Sequence, residues 1–429
     1  MTKKYPKIQN SIIKIVGLLE ELPGLQASLE KNEYLREELA EEQANFFKDY
    51  FYPDFRSLMF FKHNRIKNRR FKKEINQEIS LSDSRNTEEF LVKDVEVFLF
   101  GEDYIALFCI SIQTEKNLEI ETISTLLNLV RQFDTITENN IKWCHWIENE
   151  LLGGIKIRGR GVSVDEYSGS KFKLYTIIDL KKDIGDTDRM KLLYDLGTSS
   201  PIGSSGNIKT PFSPHPDYYF TIMENKLSVF NNWEALSLLD TFTVIGHDIL
   251  TDANKYGTWN FTYFRIYLFR VFFKYNLYRY NSIMSFDDKI ENLRTKYEEF
   301  LNNFDTFPIS YNFLPNELFQ LIGKGLNVLL ELNDFHNRII RMSETIREKK
   351  QERMNLLLGL ISVFGAVATV AVIPSIIEQS IEISGISAVI YFTFLVLVLI
   401  ILFYILLRFL KPVKRLKFFF KVIFRKKYQ

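Results

Sequence analysis

Two long uncharged runs near the C-terminal end constrain this chain more than any other feature. Met354–Ile377 holds 24 consecutive residues without a charge, and Ile383–Leu407 holds 25. Each exceeds the roughly 20 residues that a helix needs to cross a hydrocarbon core. The short turn Glu378–Glu382 separates them. The sequence therefore predicts a two-helix transmembrane hairpin over 354–407. A pair of buried helices in a water-soluble domain is the alternative, and two such runs back to back argue against it.

The flanks orient this expected hairpin. Arg347, Lys349, Lys350 and Arg353 precede it, nine bases and no acid follow between Arg408 and Lys427, and the turn carries Glu378 and Glu382. Basic flanks stay in the cytoplasm. With no secretory signal at the start, the expectation is a bacterial inner (plasma) membrane protein with both termini cytoplasmic.

The runs differ in kind. Asn355, Ser362 and Thr369 recur every seven residues, with Gly359 and Ala366 between them, so one stripe of the first run is small and partly polar. Such a stripe is either a tight helix–helix seam or the lining of a pore built from several copies, with Glu378 and Glu382 as acids at its mouth. The second run is bulky all round, which suits lipid.

Composition separates the two ends. The net charge is +2, and because the tail holds nine bases and the turn two acids, residues 1–353 sum to −5. A mildly acidic body lacks the broad basic field of a general DNA or RNA binder. Cys109 and Cys144 give no disulfide or zinc framework. No nucleophile stands beside a base, so no catalytic site is expected, and no tightly bound cofactor or metal.

Along the body, Ile8, Ile12, Ile15, Val16 and Leu19 fall at helical spacing up to Pro23-Gly24, and a second helix is expected from Leu25 to Tyr50. The basic stretch Lys62–Lys73 reads as a solvated helix face, or as a contact for phosphate or anionic lipid. Val95–Phe100 and Tyr104–Ile112 read as a β-hairpin. A helix is expected over Ile120–Phe133, a strand over Phe172–Leu180 and two short strands over Tyr218–Phe230.

Two stretches are candidates for a ligand. In Gly153–Gly161 an extended chain places Lys156, Arg158 and Arg160 on one face, opposite Ile155 and Ile157, between glycines that let backbone amides approach a phosphate. An exposed strand edge protected by charge is the plainer reading. The loop Gly197–Pro216 adds Ser204, Ser205 and Lys209 as further ligand contacts, unless it is simply a mobile linker.

The aromatic segment Tyr256–Tyr280, with Arg265, Arg270, Lys274 and Arg279 interleaved, reads as a buried helix, with base stacking as the alternative. From Asn316 a helix is expected to run unbroken to Ile377, about 90 Å long, and to act as a stalk.

This plan resembles the CorA-like divalent-cation channels, and Gln351–Ser362 is similar to that family's entry into its first span. The family's Gly-Met-Asn signature is replaced by Val372–Ile377, so the chain looks more like the CorA-like effectors that accompany type III CRISPR systems. That resemblance implies a homo-oligomeric channel or membrane-disrupting antiviral effector, pentameric by family analogy. It also implies gating by a small signalling nucleotide, such as an S-adenosylmethionine–AMP conjugate (SAM-AMP). A magnesium transporter without nucleotide control and a membrane-tethered enzyme are the alternatives. The expected organisation is an α+β ligand-sensing domain in the cytosol over 1–255, a helical linker and stalk over 256–353, the hairpin over 354–407 and a basic tail over 408–429.

Overall fold

The computed structural model describes residues 5–19, 24–37, 47–59, 68–101, 105–158, 171–206, 213–284 and 290–378, with 390, 393–394 and 396–397. The chain divides into two units, Met1–Ile339 and Ile340–Gln429.

The first unit is mixed α/β, built on one large sheet. Its strands are β1 (Ile8–Leu19), β2 (Leu35–Arg36), β3 (Asn68–Ser82), β4 (Thr87–Phe100), β5 (Leu107–Gln113), β6 (Ile136–Thr137), β7 (Ile157–Arg158), β8 (Lys173–Leu180), β9 (Lys226–Leu227), β10 (Trp233–Ser237) and β11 (Thr241–His247). They lie in the order β2-β3-β4-β5-β1-β8-β11-β10-β9, with β6 on β3 and β7 on β1. The β8–β11 pair is parallel and the other pairs are antiparallel.

β1 is a central strand, where the sequence spacing suggested a helix. The isoleucines at helical intervals belong to a nearly continuous β-branched run, Ile12-Ile13-Lys14-Ile15-Val16, whose residues are all buried. A strand covered on both faces loses the alternation that would identify it. Gly17 is needed there, because a Cβ would meet the Phe108 ring of β5. The expected second helix is similarly cut short: α1 spans Leu25–Lys31 and gives way to β2. The basic stretch, as far as it is described, is β3 and not a helix face. The hairpin β4–β5 and strand β8 form where the sequence placed them.

Residues opposite one another on paired strands share a face. One face carries Ile13, Ile15, Ile110, Val95 and Val97 into the main apolar core, under helix α3 (Ile120–Arg131), which follows α2 (Pro53–Met59). The other face carries Lys14, Tyr175 and Phe242, and also Ser111, Asp94 and Glu96.

Four helices follow in the middle of the chain. They are α4 (Trp143–Trp146) with a π-helical turn over Ile147–Leu151, α5 (Asp186–Thr198), α6 (Pro216–Met223) and α7 (Ala253–Gly257). α6 replaces the first of the two strands expected over Tyr218–Phe230. Pro216 suits a first helical turn, and the His215 ring accepts from the Asp217 amide at 3.3 Å. A π-helical turn, Thr258–Tyr263, leads into α8 (Phe264–Met284), which is buried through Phe273, as its aromatic content predicts. The remaining helices are α9 (Ile290–Phe304), α10 (Phe313–Gly325) and α11 (Val328–Glu378).

The unbroken rod expected from Asn316 is two helices. α10 ends at Gly325, and Asn327 takes a left-handed φ of 57° before α11 begins. Asparagine tolerates that conformation better than most residues, which stops one helix and redirects the chain into the next.

Among the described residues no helix is long and apolar enough to cross a membrane. This corrects the transmembrane hairpin, the channel built on it and the inner-membrane location. Asn355, Gly359, Ser362, Ala366 and Thr369, expected to line a pore, all lie on α11. Four of them are exposed, Ala366 is half-buried, and the Thr369 hydroxyl donates back to the Gly365 carbonyl at 2.8 Å. Glu378 ends the helix. Glu382, most of the second run and the basic tail lie outside the described residues.

Candidate functional site

Charges buried in the middle of the sheet mark the candidate site. On β1 the apolar run is broken by Lys14, on β4 by Asp94 and Glu96, and the aromatic helix α8 by Arg265. These four are 3%, 6%, 5% and 1% exposed. Burying a charge is costly unless it is paired, and three cations converge on Glu96. Arg70 Nε donates to Glu96 Oε2 at 2.9 Å, Arg265 Nη2 lies 3.6 Å from the same oxygen, and Lys14 Nζ is 3.7 Å from Oε1. Arg70 also reaches Glu37 at 2.5 Å.

Burial pushes the Glu96 carboxyl up, but Lys14, Arg70 and Arg265 outweigh that and hold it down at about 2. The cations are further shared with rings: Lys14 sits 4.2 Å from the centre of Phe264, and Arg265 lies 4.7 Å from Phe98 and 4.8 Å from Phe261.

Lys14, Arg70, Asp94 and Glu96 of this cluster line a pocket of about 490 Å³. Among the described residues, five cations line it, Lys14, Arg70, Lys72, Lys93 and Lys116, against three acids, Asp94, Glu96 and Glu115. Asn10, Asn260, Tyr256 and Phe261 complete the lining used below. The balance is positive and suits an anion, while the amides and acids can read donors and acceptors.

A bulge gives β4 two consecutive pocket residues. Val92 pairs with Ile112 and Asp94 with Ser111, which leaves Lys93 as an extra residue against β5. Without a bulge, neighbours on a strand point to opposite faces; with it, Lys93 and Asp94 both line the pocket. Asp94 Oδ2 lies 3.5 Å from Lys72 Nζ. Among the described residues, the other oxygen, Oδ1, is buried without a hydrogen-bond partner.

The ligand contacts read from the sequence lie elsewhere. Lys156 Nζ donates to Glu148 at 2.9 Å, and that buried carboxylate also accepts from the Ile157 amide at 2.8 Å. Ile157 and Arg158 form β7, beside Leu19 and Leu18 of β1. Ser204 and Ser205 fall in the loop after α5 and anchor it. The amides of Gly203 and Ser205 donate to Asp195 at 2.7 and 2.8 Å, Ser204 Oγ donates to the Pro201 carbonyl at 2.6 Å, and Ser205 Oγ to the Lys191 carbonyl at 3.1 Å. Arg160 and Lys209 lie outside the described residues. None of the four described ones, Lys156, Arg158, Ser204 and Ser205, lines the charged pocket.

Lys14, Lys93, Asp94 and Glu96 went unread as site residues in the sequence, while Arg70 lies in the basic stretch and Tyr256 in the aromatic segment for which phosphate contact and base stacking were the alternative readings. The available signal was the presence of full charges inside apolar strands. Cys109 and Cys144 are buried, and burial pushes both thiols up, Cys144 to about 11, which leaves neither as a thiolate nucleophile. Among the described residues no group of His, Cys, Asp or Glu is placed to hold a metal ion. No protein-family model matches the chain, and the curated proteins and solved structures compared with it give no match either.

Proposed function

We propose that this chain is a sensor for a small anionic nucleotide, which binds on the charged face of the sheet. The observation that carries this reading is the pocket lined by Lys14, Arg70 and Glu96. It combines a cationic excess, aromatic rings and buried polar atoms in a volume of about 490 Å³, within the roughly 300–1,000 Å³ of small-molecule sites. SAM-AMP, the messenger implied by the sequence resemblance, is the first ligand to try.

α8 supplies a route from sensing to response. Arg265 lies 3.6 Å from Glu96, which lines the pocket. Nine residues later, about 14 Å along the helix, Lys274 Nζ donates to the Leu326 carbonyl at 2.5 Å and pairs with Glu331 at 2.8 Å. Those two groups bracket the left-handed Asn327 at which α11 starts, so a ligand that pulls on Arg265 acts on the helix that fixes the α10–α11 junction.

Calorimetric titration of the full chain with AMP, linear and cyclic oligoadenylates and SAM-AMP tests the reading. At least one should bind, with affinity falling as salt rises and falling at least tenfold in Lys72→Glu and Lys93→Glu. Binding by none of them, or binding indifferent to both substitutions, overturns it.

A further inference from the structure

Asp94 carries an inference about which nucleotide the pocket takes, and the inference rests on the sensor reading above. A buried carboxylate oxygen normally has a donor. Asp94 is 6% exposed, lines the pocket and pairs on one side with Lys72, yet among the described residues its Oδ1 accepts no hydrogen bond. The bulge at Lys93 places it there, and bulges re-aim side chains at functional positions. A turn of the Asp94 carboxylate toward the pocket would present this oxygen to a donor on the ligand.

The position of that donor follows from the neighbours. Tyr256 lines the same pocket and is close enough for Asp94's charge to add to the effect of burial in raising its phenol. Phe261, also in the lining, already lies against the guanidinium of Arg265. Tyr256 is therefore the ring on which a planar base would stack, and the group meeting Asp94 sits on the edge of that base. Lys93 and Lys116 remain for the phosphate.

We propose that the pocket selects a nucleotide whose base presents an exocyclic amino group, and that Asp94 Oδ1 is the acceptor that reads it. A carbonyl at the same place would set two acceptors against each other in a buried site, which is the strong form of discrimination. Adenine satisfies Asp94; hypoxanthine, with oxygen in place of the amine, does not.

The experiment compares AMP with IMP on the full chain, and on Asp94→Asn, by calorimetry. In the native protein AMP should bind at least tenfold tighter than IMP. Asp94→Asn, which is isosteric and can offer an amide donor, should reduce or reverse that ratio while its melting temperature shows a folded protein. Equal affinity for AMP and IMP in the native protein overturns the role of Asp94 and leaves the sensor reading intact. So does a preference untouched by Asp94→Asn, or one that moves instead with 2′-deoxy-AMP, which would place a ribose hydroxyl at Asp94. Binding of neither nucleotide, nor of any other tried, removes both proposals together.

Discussion

Lys93 and Asp94 are adjacent on one strand and line the same pocket, because Lys93 is the extra residue of a bulge against β5. The neighbouring strand accommodates it with an irregularity of its own. Glu74 pairs with Asp94 and Gln77 with Val92, so Ile75 and Asn76 together oppose Lys93. Asn76 takes a φ of 49°.

Asn76 is exposed, so its contribution is mainly conformational and can be tested cleanly. Asn76→Gly should leave stability within a few tenths of a kcal/mol, because glycine adopts positive φ freely. Asn76→Val forces a β-branched side chain into the left-handed region and should cost about 1–2 kcal/mol. Urea unfolding of the two variants reads the difference. The same pair should separate in ligand affinity, since the bulge sets the Lys93–Asp94 geometry.

Glu96 predicts an acid limb in the stability profile. Its carboxyl is held at about 2, below its ordinary 4.5, so the native state favours the charged form. The stabilisation is present above pH 4.5, declines as pH falls below it, and is gone below about 2. Its size is on the order of 3 kcal/mol. Glu96→Gln leaves Lys14, Arg70 and Arg265 clustered without their carboxylate, and should cost about 3–5 kcal/mol at neutral pH. Melting temperatures between pH 2 and 5 should then lose the slope that the native protein shows.

Asp195 works in the opposite sense. Burial raises its carboxyl to about 6 from 3.8, against the amides of Gly203 and Ser205, which favour the charged form. Its contribution to stability is fully present below pH 3.8 and is lost as pH rises through about 6. Asp195→Asn should flatten that window, and hydrogen exchange at Gly203 and Ser205 should quicken, because one amide loses its carboxylate acceptor.

How much of this was legible in the sequence depends on what each residue signals by itself. The hairpin β4–β5 could be read from strand pattern and turn chemistry, and the buried aromatic helix from its composition. β1 could not, because a strand covered on both sides has no alternation, and any unbroken run of isoleucines contains a helical subset. The site was hidden for a further reason: Lys14, Arg70, Glu96 and Arg265 come from four separate elements, and their meeting is a property of strand order. Lys156–Arg160 looked like a site because its cations are neighbours in sequence, yet Lys156 serves the buried Glu148. The runs from Met354 were read from their length, their lack of charge and their flanks, and among the described residues no helix is long and apolar enough to carry that membrane hairpin.

The α10–α11 junction offers the last test. Gly325 closes α10 against the end of β10, where a Cβ would lie 2.5 Å from the Ser237 carbonyl carbon and against that residue's hydroxyl and carbonyl oxygens. These are largely backbone atoms, so the helix must move, and Gly325→Ala should cost about 1–3 kcal/mol. Asn327→Gly keeps the left-handed residue and should change stability by less than 1 kcal/mol. Lys274→Met removes the ammonium that holds both Leu326 and Glu331 and should cost about 1–3 kcal/mol. If α8 couples the pocket to this junction, Lys274→Met retains nucleotide binding but loses the ligand-induced protection of amides around Leu326 and Asn327. Protection unchanged in Lys274→Met would place the coupling elsewhere.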